Sequence, residues 1–227
     1  MLAKLHAGAA PAMLPPDKHL HSYDETALLA EVDLLTEWFF PVALGRKADE
    51  AETGQHRELW RQALAPHLRA PSVFVHRDYH AQNLLWLPGR SGVARVGLID
   101  FQDAVAGAKA YDLVSLIEDV RRDVPPALGE SATAHYLEAM REQGAPLDGQ
   151  AFAQEMAVFA AQRNAKIVGI FARLFRRDGK GRYLAYLPRV WSHLGRDLEH
   201  PALTALKSWY DRTIPQAARG VPRNQGA

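Results

Sequence analysis

No cysteine occurs anywhere in the 227 residues, so disulfides and thiolate metal sites are excluded and a reducing compartment such as the cytoplasm is expected. No stretch approaches the ~18 consecutive apolar residues of a membrane span. The opening segment MLAKLHAGAAPAML has one lysine and small residues but no unbroken apolar core, so it does not read as a signal peptide. Neither sign of charge is in excess: 27 Lys and Arg stand against 26 Asp and Glu, and the net charge of +1 points to no nucleic acid and no anionic membrane as partner. Internal repeats and low-complexity segments are also missing. What is present, 48% hydrophobic and 23% charged residues, is ordinary for a globular chain able to bury one domain or one large lobe.

The stretch Ser72–Asp103 organises the rest. It reads as a β-branched and aromatic run (Ser72 to Val75), a polar loop, and an apolar run from Asn83 to Leu87. A turn-rich segment with Pro88, Gly89, Ser91 and Gly92 leads to a second apolar run, Val96 to Ile99, ending at Asp100. Apolar runs joined by a Pro/Gly/Ser loop predict a hairpin, and a hairpin brings its ends together. His76, Asp78, Asn83 and Asp100 are therefore expected around one point.

His76-Arg77-Asp78, followed by four residues and Asn83, fits the H-R-D-x-x-x-x-N loop of phosphoryl-transfer enzymes, and Asp100-Phe101 stands where those enzymes place a metal-binding Asp. The chemistry accounts for the residue types. An Asp (Asp78) orients a hydroxyl and accepts its proton, while an Asn carbonyl (Asn83) and a carboxylate (Asp100) are oxygen ligands for Mg²⁺ on ATP. Two other readings stay open. Asp78 and Asn83 are also good turn residues, and His76-x-Asp78-x-His80 has the spacing of a metal hydrolase's ligands, although that reading leaves Asn83 and Asp100 idle.

His76 through Asn83 (HRDYHAQN), together with Ile99 through Ala104 (IDFQDA), resembles the aminoglycoside phosphotransferase family, relatives of protein kinases and choline kinases. The helical stretches DETALLAEVDLLTEWF from Asp24, VAGAKAYDLVSL from Val105 and QRNAKIVGIFARL from Gln162 are similar to its bacterial sugar-1-kinase branch. Members of that branch phosphorylate the anomeric hydroxyl of N-acetylmuramate and N-acetylglucosamine in cell-wall recycling. The resemblance implies an α+β, mostly α fold. It would be the large C-terminal lobe of a protein-kinase-like architecture with a small catalytic hairpin, over residues 1–219 with a frayed tail at 220–227. The catalytic loop would be 76–83 and the metal-binding segment 99–104. The resemblance also implies ATP and Mg²⁺ as cofactors and a small sugar as partner. His76 and His80 would support the loop, and Asp112 would cap its helix and brace the loop backbone. An aminoglycoside or another small hydroxyl compound is the alternative acceptor.

The small lobe of such a fold is not found in the sequence. No G-x-G-x-x-G, no strand lysine and no Walker-type loop precedes the catalytic loop, so no nucleotide-clamping lysine is expected in this chain. Two further readings of the chain follow from this, an inactive, kinase-derived binding module and part of a longer reading frame.

Elsewhere, Ser22 to Glu25 fits a capping box for a helix reaching about Leu44, with Pro41 as an earlier stop. Its stripe is Leu28, Val32, Leu35 and Phe39. Glu31 borders the stripe on the side of Trp38, where an acid beside an aromatic platform suits a sugar and a solvated acid suits equally. Helices are expected at 58–68, 107–117, 131–143, 150–175 (capped by Asp148), 186–198 and 202–213. Pro71 is expected to extend the chain into the strand at Ser72. Asp103 is either a substrate contact or a turn cap. Arg163 falls on the apolar stripe between Phe159 and Ile167 and needs an anion, either an internal carboxylate or an acidic group on a substrate.

Overall fold

The computed structural model describes residues 1–14, 17–68 and 72–222. Along the chain these form α1 (Leu2–His6), the short strands β1 (Met13–Leu14) and β2 (Lys18–His19), α2 (Glu25–Leu34), a π-helix (Leu35–Leu44) and α3 (Glu50–Leu64). Four more strands follow: β3 (Val73–Val75), β4 (Leu84–Trp86), β5 (Val96–Leu98) and β6 (Val105–Gly107). The remainder is helical: α4 (Ala110–Ile117), α5 (Pro126–Glu142), α6 (Gly149–Asp178), α7 (Leu187–Asp197) and α8 (Thr204–Thr213). The chain is thus mostly helical with few strands, and no described helix is long and apolar enough to cross a membrane. The expectations attached to Pro71 and to the tail beyond 222 lie outside the described residues.

The described residues form two compact units, one from Met1–Asp24 and His67–Met156, the other from Glu25–Pro66 and the residues from Ala157 on. In the first unit the expected hairpin is present: β4 pairs antiparallel with β5, Leu84 opposite Leu98 and Trp86 opposite Val96. The run before the loop becomes β3, and its partner is β6, with Val73 opposite Gly107 and Val75 opposite Val105. All three residues of β3 are buried, which explains a run with no polar alternation.

Ser22 does not open a helix. The Tyr23 N–H donates to the Ala106 carbonyl (2.7 Å) and the Ala106 N–H to that of His21 (2.8 Å), so this segment lies extended along β6 and α2 starts only at Glu25. Gly107 permits the approach, because a Cβ there would stand 3.1 Å from the Cβ of Tyr23. α5 starts at Pro126, five residues before the expected Ser131, with proline at the first helical position. The Asp148 carboxylate caps α6 as expected, accepting from the Ala151 N–H at 2.7 Å.

In the second unit, α3 begins at Glu50 instead of Glu58. A capping box made by Asp49 and Glu52 satisfies the first-turn donors, and the buried face is only His56, Trp60 and Leu64, one residue per turn. Pro41 does not stop the preceding helix. The chain widens to π geometry from Leu35 to Leu44, and the longer turn moves the carbonyl that a proline ring would otherwise strike. α6 meets the end of α2 at Gly169, where an added Cβ would lie 2.4 Å from the carbonyl carbon of Leu34. No side chain fits between those two backbones.

His56 is wholly buried in this core. The Trp60 indole N–H (2.9 Å) and the Tyr210 hydroxyl (3.1 Å) both donate to its Nε2, so the ring is neutral with its proton on Nδ1. Burial lowers its pKa from 6.5 to about 3. The unfolded chain therefore takes up a proton below about 6.5 that the folded chain refuses until about 3, and stability is lost as pH falls through that window. Urea unfolding is expected to show about 2 kcal/mol less stability at pH 5 than at pH 7 from this one group. His56→Gln should remove that part of the slope; an unchanged slope in the variant would refute the assignment.

Candidate active site

β3 delivers the chain into the loop at His76, where the direction is set from below by a buried acid. Asp112, in the first turn of α4, accepts the His76 N–H on Oδ2 (2.7 Å) and the Arg77 N–H on Oδ1 (3.0 Å). It does not cap its own helix, since the first turn of α4 is served by Glu155, which accepts the Ala110 N–H at 3.0 Å. Burial raises the carboxyl pKa of Glu155. The Asp112 carboxylate is fully buried, and its third neighbour is Nε2 of His6, 3.8 Å away. The Tyr136 hydroxyl fixes the other nitrogen of His6 at 2.8 Å.

Holding both N–H groups on one carboxylate forces Arg77 into the left-handed region, φ +72°. The Ser115 hydroxyl donates to the Arg77 carbonyl (3.4 Å), and its guanidinium lies over the Tyr23 ring and reaches the Asp103 carbonyl (3.3 Å). The next residue, Asp78, is exposed. Its carbonyl accepts the Asn83 amide (2.9 Å) and the His80 N–H (3.0 Å), whereas its carboxylate has no hydrogen bond among the described residues. Tyr79 and His80 are buried on either side of the turn, and burial pushes the Tyr79 phenol up to about 12.

Two bonds join this loop to the far end of the hairpin. His76 Nε2 donates to the Ile99 carbonyl at 2.9 Å, and the Ile99 N–H donates to the Asn83 carbonyl at 3.2 Å, one step beyond the β4–β5 ladder. Asp100 follows at once, itself left-handed at φ +64°. The Gln102 amide holds its Oδ1 at 2.9 Å. The segments carrying His76, Asp78, Asn83 and Asp100 are thus tied to one another by backbone and ring bonds. Because the Asn83 amide nitrogen is spent on Asp78, its side-chain oxygen is the atom left to accept. Asp103 sits in the turn after Asp100 with an exposed carboxylate that has no partner among the described residues.

Sequence reasoning missed Gln102, Ser115, His6 and Tyr136 as supports. Only Gln102 carried a signal, its place two residues beyond Asp100. The hydrolase ligand set is not assembled. His76 uses Nε2 on a carbonyl and is fully buried, and among the described residues no three His, Cys, Asp or Glu side chains stand close enough to hold a metal.

Glu31 and Arg163 belong to the second unit. Glu31, on α2, is engaged: Lys166 Nζ pairs with Oε1 at 2.8 Å and the Gln162 amide donates to Oε2 at 3.1 Å. Gln162 also reaches the Leu28 carbonyl at 3.3 Å. Arg163, on α6, is 5% exposed, and its Nη1 is covered without a hydrogen-bond partner. Trp38 is half-buried.

Residues 1–147 match the phosphotransferase enzyme family. Curated proteins similar to the chain include several named N-acetylmuramate/N-acetylglucosamine kinase. The protein from Caulobacter vibrioides is 40% identical over 221 residues, covering 96% of this chain and 60% of that protein. The one from Neisseria meningitidis serogroup B is 37% identical over 202 residues, 86% of this chain and 56% of that protein. The one from Pseudomonas putida is 34% identical over 183 residues, 80% of this chain and 52% of that protein. The chain therefore spans little more than half the length of these relatives.

Proposed function

Because the chain belongs to the phosphotransferase enzyme family, we propose that it carries the catalytic loop of an ATP-dependent sugar kinase. The reaction moves the γ-phosphoryl group to the anomeric hydroxyl of an N-acetylated amino sugar, in the cytoplasm, during cell-wall recycling. The observation that supports this most is the tie between the loop and the hairpin. It leaves an exposed carboxylate on Asp78, an open acceptor on Asn83 and a positioned carboxylate on Asp100 in segments bonded to one another. The sugar is the one for which the similar proteins are named.

In this reading Asp78 orients the sugar hydroxyl and accepts its proton as the bond to phosphorus forms. An anomeric hydroxyl is more acidic than an ordinary alcohol, so an aspartate is a sufficient base. Asn83 Oδ1 and the Asp100 carboxylate would hold Mg²⁺, and both are hard oxygen donors suited to it. Bound there, the ion neutralises the triphosphate charge. Gln102 keeps Asp100 turned, and Asp112 and His76 keep the loop in register. Asp103, exposed in the adjoining turn, is a sugar contact.

The test is Mg-ATP calorimetry, followed by a transfer assay against N-acetylmuramate, N-acetylglucosamine and a panel of aminoglycosides. It is run on this chain and on any longer reading frame that contains it. Transfer to both N-acetyl sugars with loss of their reducing end is expected. Phosphate on another hydroxyl would reject the anomeric assignment, and failure to bind Mg-ATP in every form would leave a binding module.

A further inference from the structure

We infer that the cavity between α7 and α8 binds a small organic anion. Its wall lies wholly within the second unit and surrounds about 530 Å³, inside the ~300–1,000 Å³ of ordinary small-molecule sites. The cavity opens to solvent, since Pro188, Ser192, Arg196 and Gln216 in its wall are exposed. Three cations, Arg196, Lys207 and Arg219, stand against two acids, Glu199 and Asp211, so the wall carries one positive charge in excess. The acids are already committed. Asp211 takes Lys207 Nζ on Oδ2 at 2.8 Å and Arg219 Nη2 on Oδ1 at 2.9 Å, and these two bonds hold its carboxyl below the usual range. Glu199 Oε1 lies 3.6 Å from the same ammonium.

Arg219 is set in place before any ligand arrives. Its Nε donates to the Ile214 carbonyl at 3.0 Å and its Nη2 to the Tyr210 carbonyl at 2.8 Å. The guanidinium also lies over the Trp191 ring, 5.6 Å from its centre. These contacts fix a planar fork of donors. Its remaining nitrogen, Nη1, has no hydrogen-bond partner among the described residues and is not sealed from solvent. A guanidinium held in this way loses little rotamer freedom on meeting an oxyanion, so the charge-assisted bond keeps most of its strength. Gly195, in the same wall, leaves room for more than the charged head. A Cβ added there would meet nothing within 4 Å, so no neighbour accounts for a residue that weakens the interior of α7. Pro188 and Leu198 border the space with apolar surface for the body of the ligand.

Four probes of known chemistry test this by calorimetry: 2-naphthoate, 2-naphthyl phosphate, the neutral 2-naphthamide and inorganic phosphate. They are titrated into the chain and into Lys207→Gln, Gly195→Phe and Arg219→Lys. At least one naphthyl anion is expected to bind one to one, about tenfold or more tighter than the amide, as a charge-assisted bond implies. The tighter of the two anions identifies the head group as carboxylate or phosphate. Lys207→Gln should lower the preference for the anion about tenfold. Gly195→Phe should melt no lower than the unaltered chain, because phenylalanine suits a helix better than glycine, yet bind the anion at least tenfold more weakly. Arg219→Lys keeps the charge, loses the fork and should also bind more weakly; if it fails to fold, the other two variants decide. Absence of saturable binding, an amide bound as tightly as the anions, or anion binding unchanged in Lys207→Gln or Gly195→Phe overturns the inference. So does inorganic phosphate bound as tightly as naphthyl phosphate, since the cavity would then take a bare ion.

Discussion

Replacing Asp112 with alanine is expected to destabilise the chain by about 3–5 kcal/mol, the range for leaving buried partners of a charge without compensation. The two oxygens of this carboxylate take the N–H groups of consecutive residues, His76 and Arg77, at 2.7 and 3.0 Å, in a place sealed from water. Alanine would leave both donors unsatisfied, open a void and remove what holds Arg77 at φ +72°. Asparagine is little better, since its amide turns a donor toward one of the two N–H groups. For a chain of this size the melting temperature should fall by roughly 6–15 °C. A shift within a degree or two for both variants would mean that the loop is held by something other than this acid.

Asp78→Asn is expected to lower phosphoryl transfer by about 10²- to 10⁴-fold, the usual worth of a positioned proton acceptor. It should do so without moving the melting temperature, because the residue is exposed and its carboxylate has no partner among the described residues. Asp100→Asn should cut the rate similarly and raise the Mg²⁺ concentration needed for half-maximal activity, a dependence that Asp78→Asn leaves unchanged. The two assignments are thus separable. Either variant keeping more than about a tenth of the rate would reject the role proposed for it.

The parts of the fold that were legible from sequence are those whose signals are local. The hairpin announced itself through Pro88, Gly89, Ser91 and Gly92 between two apolar runs, and Asp148 marked the start of α6. β6 was not legible. It is three residues long, ends in glycine, and owes that glycine to the Cβ of Tyr23, 84 positions earlier. The start of α3 was obscured for another reason. Its buried face is one residue per turn on an otherwise charged helix, too sparse a stripe for periodicity to reveal, although the Asp49–Glu52 capping pair was there to be read. Within the candidate site the loop residues could be listed from spacing, but their bracing could not. The bonds from His76 to Ile99 and from Asp112 to the loop span 23 and 36 positions. Arg163 stood out as a cation on an apolar stripe. That Glu31 was already committed to Lys166, 135 positions away, only the folded chain reveals.

The left-handed backbone at Asp100 has a bearing on how this protein could be improved or damaged. An aspartate at φ +64° sits where glycine would rest with about 1 kcal/mol less strain. Selection for endurance to heat alone would drift toward glycine at that position and discard the carboxylate while doing so. Robust variants recovered from such a screen would include dead ones, and thermal survival is the wrong filter for finding those that still work.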